Sequence, residues 1–350
     1  MKKFSLATLL ISVIVGLTVS SAFGQDEDDP PRDKRAQTGM KFLNFSIDAR
    51  AAAMGDALTA QDHGSAVSMF YNPASMASQT GLVSAAFGFT QWIADINYSG
   101  IAVAYQPAGG LYGVFGISVL TVNYGDLEGT VRADNDAGFL STGTFSPAGT
   151  ALGLGYARAL TDRFSVGGNV KLVSEDLGSS AVEFEDPDLT GEGRYVKTNL
   201  KFEDNKQSIV AFDFGVLYRT GFRSLIFAMS ARNFAGDVTY AEESFDLPLT
   251  FRIGLSMNLM DFTGMDQDIH SFVLAIDTER PRDFSEQIKI GGEYVFMNTL
   301  ALRGGFILPT DEQGIMLGFG VQRSGFSIDY AYSQFGVFGA VNRFGLQASF

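Results

Sequence analysis

The chain has 350 residues, and 25 Lys and Arg against 39 Asp and Glu give it a formal net charge of −14. It contains no Cys and two His, which excludes disulfides, thiolate catalysis and Cys-ligated metal sites and makes a His-dependent active site hard to build. The acidic balance, without clusters of Lys and Arg, argues against nucleic-acid binding, since that binding needs positive charge to neutralise phosphates.

The N-terminus has the pattern of a cleavable signal peptide over residues 1–24. A positively charged start is followed by an apolar run from Phe4 to Val19 and a small-x-small site at Ala22-Phe23-Gly24. The alternative, an uncleaved anchor helix, is disfavoured because the run is shorter than the ~20 apolar residues of a membrane span. Residues 25–38 are charged and contain two Pro, which predicts a flexible periplasmic leader.

Residues 39–80 lack the alternation that follows them. The Ala-rich run after Asp48 favours a short helix capped by that Asp. A second helical piece, Ser65 to Tyr71, should stop at Asn72-Pro73 because the residue before a proline disfavours helix. The apolar side chains here need burial, which favours a hatch inside the lumen of the following domain over a mobile periplasmic extension.

From residue 81 to the end the sequence has a period of two. In Phe251, Ile253 and Leu255, against Arg252 and Gly254, one face is apolar and the other is charged or small. Alternation also fits a soluble sandwich, but segments of about ten residues have the length of tilted membrane strands and favour an outer-membrane barrel with its apolar face in lipid. The predicted strands are 81–91, 96–106, 110–123, 149–160, 164–176, 206–220, 223–234, 247–260, 270–278, 284–296, 300–308, 313–322, 326–334 and 341–350.

One uncharged stretch, Ile96 to Gly125, resembles a membrane helix in composition. Pro107, Gly109 and Gly110 interrupt its centre and instead predict two strands joined by a tight turn. The connections alternate in length, as expected for extracellular loops and periplasmic turns. The long ones are 124–148, 177–205 and 235–246, and 261–269 is an unexplained long turn on the opposite side.

The last strand carries a local signal at Phe344, Leu346 and the terminal Phe350, which share one parity. This resembles the C-terminal strand signal of outer-membrane proteins, which is read by the barrel-assembly machinery.

The candidates for catalysis or metal binding are the two His and one acidic loop. His63 lies in a predicted turn, and His270 near Asp268 is the only pairing to consider for catalysis. Acidic residues of one loop lack the ordered spacing of a calcium loop, so a solvated extracellular loop is the better interpretation. These are Glu183, Glu185, Asp186, Asp188 and Glu192. That loop and the one with Phe139 and Phe145 are expected to bind a protein partner.

Charged residues of both signs fall on the face predicted to line the lumen. They predict salt bridges that hold the hatch, in preference to a charge-selective channel. The set is Lys171, Asp213, Arg219, Arg252, Asp277, Lys289, Glu293, Arg303 and Asp329.

The hatch region resembles the N-terminal signature of the PorV/PorQ family, which is similar to FadL-type barrels. Phe42-Leu43 precedes the first part of the motif, and an aromatic-Asn-Pro-Ala turn forms the second. The motif residues are Asp48, Ala49, Arg50, Met54, Gly55, Asp56, Tyr71, Asn72, Pro73 and Ala74. The resemblance implies a 14-stranded FadL-like barrel acting in type IX secretion. In that system PorV accepts cargo proteins by their C-terminal domains from the translocon and delivers them to the sortase-bearing attachment complex, whereas PorQ works with a partner at the cell surface.

The sequence therefore predicts an all-β membrane protein, a 14-stranded antiparallel outer-membrane β-barrel (81–350) with a short helical N-terminal hatch (39–80). The expected function is non-enzymatic and without a cofactor or metal. It involves binding to the type IX translocon, the sortase and attachment complex or cargo C-terminal domains, in contact with outer-membrane lipid. The alternative is a FadL-like transporter of hydrophobic small molecules, and a passive porin is disfavoured because the hatch would block flow.

Overall fold

A computed structural model describes residues 38–62, 64–132, 136–184, 200–240, 243–310 and 313–350. Fourteen antiparallel strands follow each other around a closed barrel, which the first and last strands seal by pairing together. The barrel strands are β1 (Val83–Gln91), β2 (Asn97–Tyr105), β3 (Val114–Asn123), β6 (Ala148–Ala159), β7 (Phe164–Phe184), β8 (Leu200–Arg219), β9 (Ile226–Phe234), β12 (Thr250–Asn258), β13 (His270–Pro281), β14 (Gln287–Phe296), β15 (Leu300–Leu308), β16 (Gln313–Arg323), β17 (Phe326–Phe335) and β18 (Ala340–Ser349). The predicted fourteen-stranded barrel is confirmed.

Four further strands form two hairpins outside the barrel wall. They are β4 (Leu127–Arg132) with β5 (Phe139–Phe145), and β10 (Val238–Tyr240) with β11 (Glu243–Phe245). The sequence prediction treated both regions as loops. The prediction missed them because these strands pair with each other rather than with the wall, and so they do not carry the apolar and lumenal faces that mark a barrel strand.

The predicted alternation sets the two faces of the wall. In β2, Ile101 is 52% exposed on the outside, whereas its neighbours Ala102 and Ala104 are fully buried inside. Successive side chains of a strand point to opposite faces, so this arrangement repeats around the barrel and gives an apolar outer surface. Phe344, Leu346 and Phe350 lie on this outer surface.

The two ends of the barrel differ. We call the end with residues 124–132, 136–147, 235–240 and 243–249 the loop end, and the end with residues 106–113, 160–163 and 324–325 the turn end. At the loop end β7 and β8 run past their predicted limits of Asp176 and Lys206 and continue to pair beyond a bulge. Gly178, which has a φ of +79°, permits that irregularity. At the turn end, residues Leu259–Phe262 of the unexplained long connection form a 3₁₀ turn.

The hatch consists of short helical turns inside the barrel. Helix α1 (Ala49–Ala53) begins where the Asp48 carboxylate accepts a hydrogen bond from the Ala51 backbone N–H, as predicted. The predicted helix 65–71 is a 3₁₀ turn, Ala66–Phe70, capped by Ser65. Two further 3₁₀ turns, Lys41–Asn44 and Pro73–Ser78, were not predicted. Within the described residues, no helix is long and apolar enough to cross a membrane.

Small residues let the hatch lie directly on the wall. A Cβ on Gly305 would overlap the backbone of Met54 and Gly55, and one on Gly291 would overlap Met54. Gly304, which directly precedes Gly305 in the strand, faces the outside of the barrel. A Cβ there would make an ordinary contact of 3.8 Å with Leu317. The inward glycines are therefore needed for hatch docking, and the outward one is not.

We predict that Gly305→Ala destabilises the protein by roughly 1–3 kcal/mol, because overpacking a fitted interface displaces backbone. Unfolding in detergent, followed by heat-modifiable migration and urea titration, measures the change. Gly304→Ala is the matched control and should leave stability close to that of the unmodified protein. Equal losses in the two variants would contradict the assigned hatch contact.

Candidate functional site

The hatch occupies the lumen, and its charged groups pair with charged groups of the wall. Arg50 of helix α1 donates to both carboxylate oxygens of Glu293 on β14, at 2.7 and 2.6 Å. Glu293 also accepts from Arg303 on β15 at 2.6 Å, and Arg303 pairs with Asp329 on β17 at 2.6 Å. Alternating charges thus connect the hatch to three strands, and all four side chains are at least nine-tenths buried.

A second network lies beside the turn that follows helix α1. Lys289 pairs with Glu279 and lies 3.9 Å from the Asp56 carboxylate of the hatch. Arg252 pairs with the same Glu279 at 3.0 Å and donates to the Asp56 backbone carbonyl at 3.4 Å. Asp277 of the wall accepts from the Thr59 backbone N–H at 2.9 Å. Hatch backbone groups thus take part in the network together with side chains.

A third group of contacts ties the remaining hatch to β7, β8 and β9. Lys171 pairs with Asp213 at 2.8 Å within the wall. Arg232 donates to the Leu43 carbonyl at 2.9 Å. At the turn end, Arg219 binds Asp62 through two hydrogen bonds of 2.6 and 2.8 Å. Each of the nine charged residues predicted for the lumen therefore contacts a wall or hatch partner.

The aromatic-Asn-Pro-Ala turn connects the hatch to the wall through hydrogen bonds. The Asn72 side chain accepts from the Ala74 backbone N–H at 3.1 Å and donates to the Thr59 and Val216 carbonyls at 2.9 and 3.2 Å. The Tyr71 hydroxyl hydrogen-bonds to Ser46 at 2.9 Å and accepts from the Asp48 backbone N–H at 3.2 Å. These bonds join the two halves of the motif, which are 23 residues apart, into one buried unit.

Burial changes the acidity of one hatch group in particular. It raises the pKa of the Asp48 carboxyl to about 6, and the negative charge of Asp329 adds to the rise. The hydrogen bond from Ala51 and the charge of Arg50 act in the opposite direction. The cap of helix α1 is therefore a titratable group near neutral pH.

Little space is left between hatch and wall. One cavity beside Asp48, Tyr71 and Asn72 has a volume of about 20 Å³, and another beside Leu43 and Lys171 is about the same size. Each has room for about one water molecule, whereas pockets for small-molecule ligands are about 300–1,000 Å³. Neither of these two cavities is large enough to hold a small-molecule ligand.

The structure brings the predicted hatch residues together as one buried element, although the pattern alone gave no pairings. His63 and residues 185–192 of the acidic loop lie outside the described residues. His270 does open β13, but its Nδ1 hydrogen-bonds to the Tyr294 hydroxyl at 2.7 Å. That hydroxyl, and not the Asp268 carboxylate considered in the sequence, is the side-chain partner of the imidazole.

Sequence reasoning also missed an aromatic cluster at the loop end of the hatch. Phe45 stacks on Tyr98 with ring centroids 3.6 Å apart and meets Trp92 edge to face at 5.0 Å. The Arg343 guanidinium lies 5.5 Å from the Phe45 ring and 5.4 Å from the Trp92 ring. The signal available in the sequence was the single Trp, but nothing there indicated that it faces the hatch.

Solved structures with the same architecture include two toluene transporters and a FadL homologue, all of low sequence identity. The Ralstonia pickettii toluene transporter TbuX is 16% identical over 87% of this chain and 98% of its own, with a TM-score of 0.56. The Pseudomonas putida toluene transporter TodX is 13% identical, covers 87% and 96%, and has a TM-score of 0.55. A Pseudomonas aeruginosa FadL homologue is 13% identical, covers 87% and 98%, and has a TM-score of 0.52. At these identities the likeness shows the FadL-like fold alone.

Sequence comparison gives a family. Residues 141–335, more than half of the chain, match the family described as type IX secretion system membrane protein PorP/SprF. No curated protein matches the chain. The matched residues start well after the hatch motif. That motif, at residues 42–74, is the part of the chain that resembles PorV/PorQ.

We predict that Glu293→Gln lowers the free energy of unfolding by about 3–5 kcal/mol, because it leaves two buried guanidinium groups with reduced compensation. Urea titration of the protein in detergent measures the loss. Arg280→Gln is the control, since it breaks an ion pair whose side chains are 72% and 58% exposed and should cost about 1 kcal/mol or less. A Glu293→Gln variant as stable as the control would show that the buried network does not hold the hatch.

Stability should also depend on pH through Asp48. Its pKa in the folded protein is about 6 and its ordinary value is 3.8, so between these values the folded state binds more protons than the unfolded state. The contribution of Asp48 is therefore complete below about pH 3.8 and is lost as pH rises from there through 6, by roughly 3 kcal/mol in total. About 1.4 kcal/mol of this loss falls between pH 5 and pH 8. Unfolding measured at these two pH values should show that part in the unmodified protein and not in Asp48→Asn, which keeps a cap acceptor. The same pH dependence in both proteins would contradict the assignment.

Proposed function

Because the chain belongs to the PorP/SprF family of type IX secretion system membrane proteins, we propose that it is a non-enzymatic outer-membrane barrel that binds protein partners of that system. The family assignment corrects the expected PorV/PorQ membership. The expected connection to type IX secretion stands. The hatch motif used for the resemblance lies outside the residues that match the PorP/SprF family.

The single observation that carries this proposal is the filled lumen. The two cavities of about 20 Å³ beside the hatch are too small for a ligand, and buried ion pairs connect the hatch to several strands. A barrel whose interior is occupied in this way acts through its surface. The loop end offers that surface, since both hairpins and the extended β7 and β8 lie there.

The loop end also exposes apolar side chains that a partner can bury. Leu127 and Phe139 on the β4–β5 hairpin are half-exposed, and Val337 and Phe338 in the loop before β18 are 86% and 58% exposed. Apolar residues on loops held by a rigid scaffold are typical of protein recognition. We assign to this surface the translocon, the sortase-bearing attachment complex or the C-terminal domains of cargo proteins as partners, in a role that includes cargo transfer.

A second candidate function, transport of hydrophobic small molecules, is favoured by one feature of the wall. The ladder between β15 and β16 pairs Leu300–Gly305 with Met316–Val321. Within the described residues, the last three residues of β15 have no ladder partner in β16. An interrupted ladder is the kind of opening that lateral passage of a hydrophobic ligand needs. The sealed hatch makes transport the weaker proposal.

We predict that the tagged protein, purified from its native outer membrane in mild detergent, carries with it type IX translocon components or secreted proteins that share a C-terminal domain. Mass spectrometry of co-purifying proteins and lipids is the measurement. Recovery of the barrel alone with stoichiometric bound hydrocarbon would overturn the partner-binding proposal and support transport.

A loop variant sharpens the same experiment. Replacing Leu127–Phe145 by a short Gly-Ser linker removes the β4–β5 hairpin with its exposed Leu127 and Phe139, and should abolish partner capture. The barrel should still fold, because the hairpin is not part of the barrel ladder. The matched control replaces Thr263–Gln267 at the turn end and should retain the partners. Heat-modifiable migration identifies folded barrels in both variants. Retained capture without the hairpin would exclude it as the binding surface.

A further inference from the structure

The second of the two small cavities, the one beside Lys171, carries more positive than negative charge. Its charged lining consists of Lys171 on β7, Asp213 on β8 and Arg232 on β9, and all three side chains are at least nine-tenths buried. Ser118 on β3 supplies a hydroxyl group to the lining, and Ala151 on β6 is one of its apolar residues. We call this space the Arg232 cavity. Two positive charges and one negative charge surround its volume of about 20 Å³.

The carboxylate in this lining is already engaged. Asp213 pairs with Lys171 at 2.8 Å, and the same carboxylate oxygen accepts from the Asn233 backbone N–H at 2.8 Å. The second oxygen accepts from the Asn169 side chain at 3.3 Å. Asp213 therefore compensates the charge of Lys171, and the two further donors hold it in that position.

The Arg232 guanidinium has no counterion among the residues that the structure describes. It donates to the Leu43 backbone carbonyl at 2.9 Å, and it lies 6.0 Å from the centre of the Tyr71 ring. Its Nε has no hydrogen-bond partner in that part of the chain, although the residue is only 5% exposed. A carbonyl dipole and an aromatic face compensate a full buried charge only in part, because such a charge needs an ion of opposite sign.

We propose that the Arg232 cavity binds one small monovalent anion of the chloride type, held by the Arg232 guanidinium and the Ser118 hydroxyl. The cavity has room for about one water molecule, and a halide ion is of similar size. Carboxylates, phosphate and sulfate contain several heavy atoms and do not fit in this volume. The surplus of one positive charge in the lining favours an anion over a neutral water molecule.

The bound anion connects the hatch to the wall. The cavity lies between the hatch, which contributes Leu43 of the 3₁₀ turn Lys41–Asn44, and residues of β3, β6, β7, β8 and β9. These groups surround one space only when the barrel is folded around the hatch. The unfolded chain therefore has no such site, and chloride stabilises the folded protein by mass action.

Urea titration of the purified protein in detergent tests this linkage. Chloride is varied at constant ionic strength with gluconate as the balancing anion, since gluconate is too large for the cavity. The equilibrium constant for unfolding should fall about tenfold for each tenfold rise in chloride above the dissociation constant, because one ion is released per molecule unfolded. Bromide should have the same effect. An unfolding equilibrium that does not respond to replacing gluconate by chloride or bromide would overturn the proposal.

Three variants locate the site. Arg232→Gln removes the charge that holds the ion and should abolish the chloride dependence. Ala151→Val fills the cavity, leaves Arg232 in place and should abolish the dependence as well. The matched control is Arg282→Gln, which removes a guanidinium whose side chain is 42% exposed and should keep the full dependence. A full chloride dependence in Arg232→Gln or Ala151→Val would place the ion elsewhere and contradict the assignment.

Diffraction gives a second test that needs no variant. Crystals of the unmodified protein in sodium bromide should show an anomalous difference peak between Arg232 and Ser118. Clear density for a water molecule at that position, without anomalous signal, would overturn the proposal.

Discussion

The cost of burying charge is the constraint on which this structure depends. An unpaired ion in a low-dielectric interior costs several kcal/mol, so a lumen lined with both signs is stable only if each charge finds a partner. The wall does this partly by itself, as Lys171 does with Asp213. Elsewhere the hatch completes the pairing, most directly where Arg50 extends from helix α1 to the Glu293 carboxylate of the wall. Removing the hatch would therefore also take from Glu293 one of its two guanidinium partners.

Packing and charge pairing require each other here. Arg50 reaches Glu293 because the other residues of helix α1 are Ala and lie against Gly318 and Gly345 of the wall, while Met54 and Gly55 after the helix lie against Gly305. Larger residues on either side would move the helix away and lengthen the ion pairs. The attraction between two opposite charges falls as the inverse of the distance between them, so the pairs would weaken. The high glycine content of the chain has a specific use on these inward positions. The outer face needs bulky apolar side chains, so the two faces of one strand carry opposite size requirements.

The sequence was sufficient for the wall, because a strand with one face in lipid and one in the lumen has a period of two that can be read without a partner. It was also sufficient for the Asp48 cap, which is a local contact of three residues. It could not give the pairing of Arg50 with Glu293, which are 243 residues apart, since any of several inward carboxylates satisfied the same pattern. The hairpins of the loop end were missed for a related reason, as they lack a lipid face. The family was misassigned because the resemblance rested on the hatch motif, which lies outside the residues that match the PorP/SprF family.

The same interactions decide between a plug and a gate. A gate needs a second arrangement close in free energy to the first, and a few kcal/mol separates states that interconvert during function. The hatch is held by Arg50 and Asp62 at different depths and by Asn72, whose amide bonds to the hatch and wall backbones together. Displacing it would break these contacts together, take from Glu293 one of its two guanidinium partners and separate Arg219 from Asp62. An element held at several depths of the lumen in this way resists displacement.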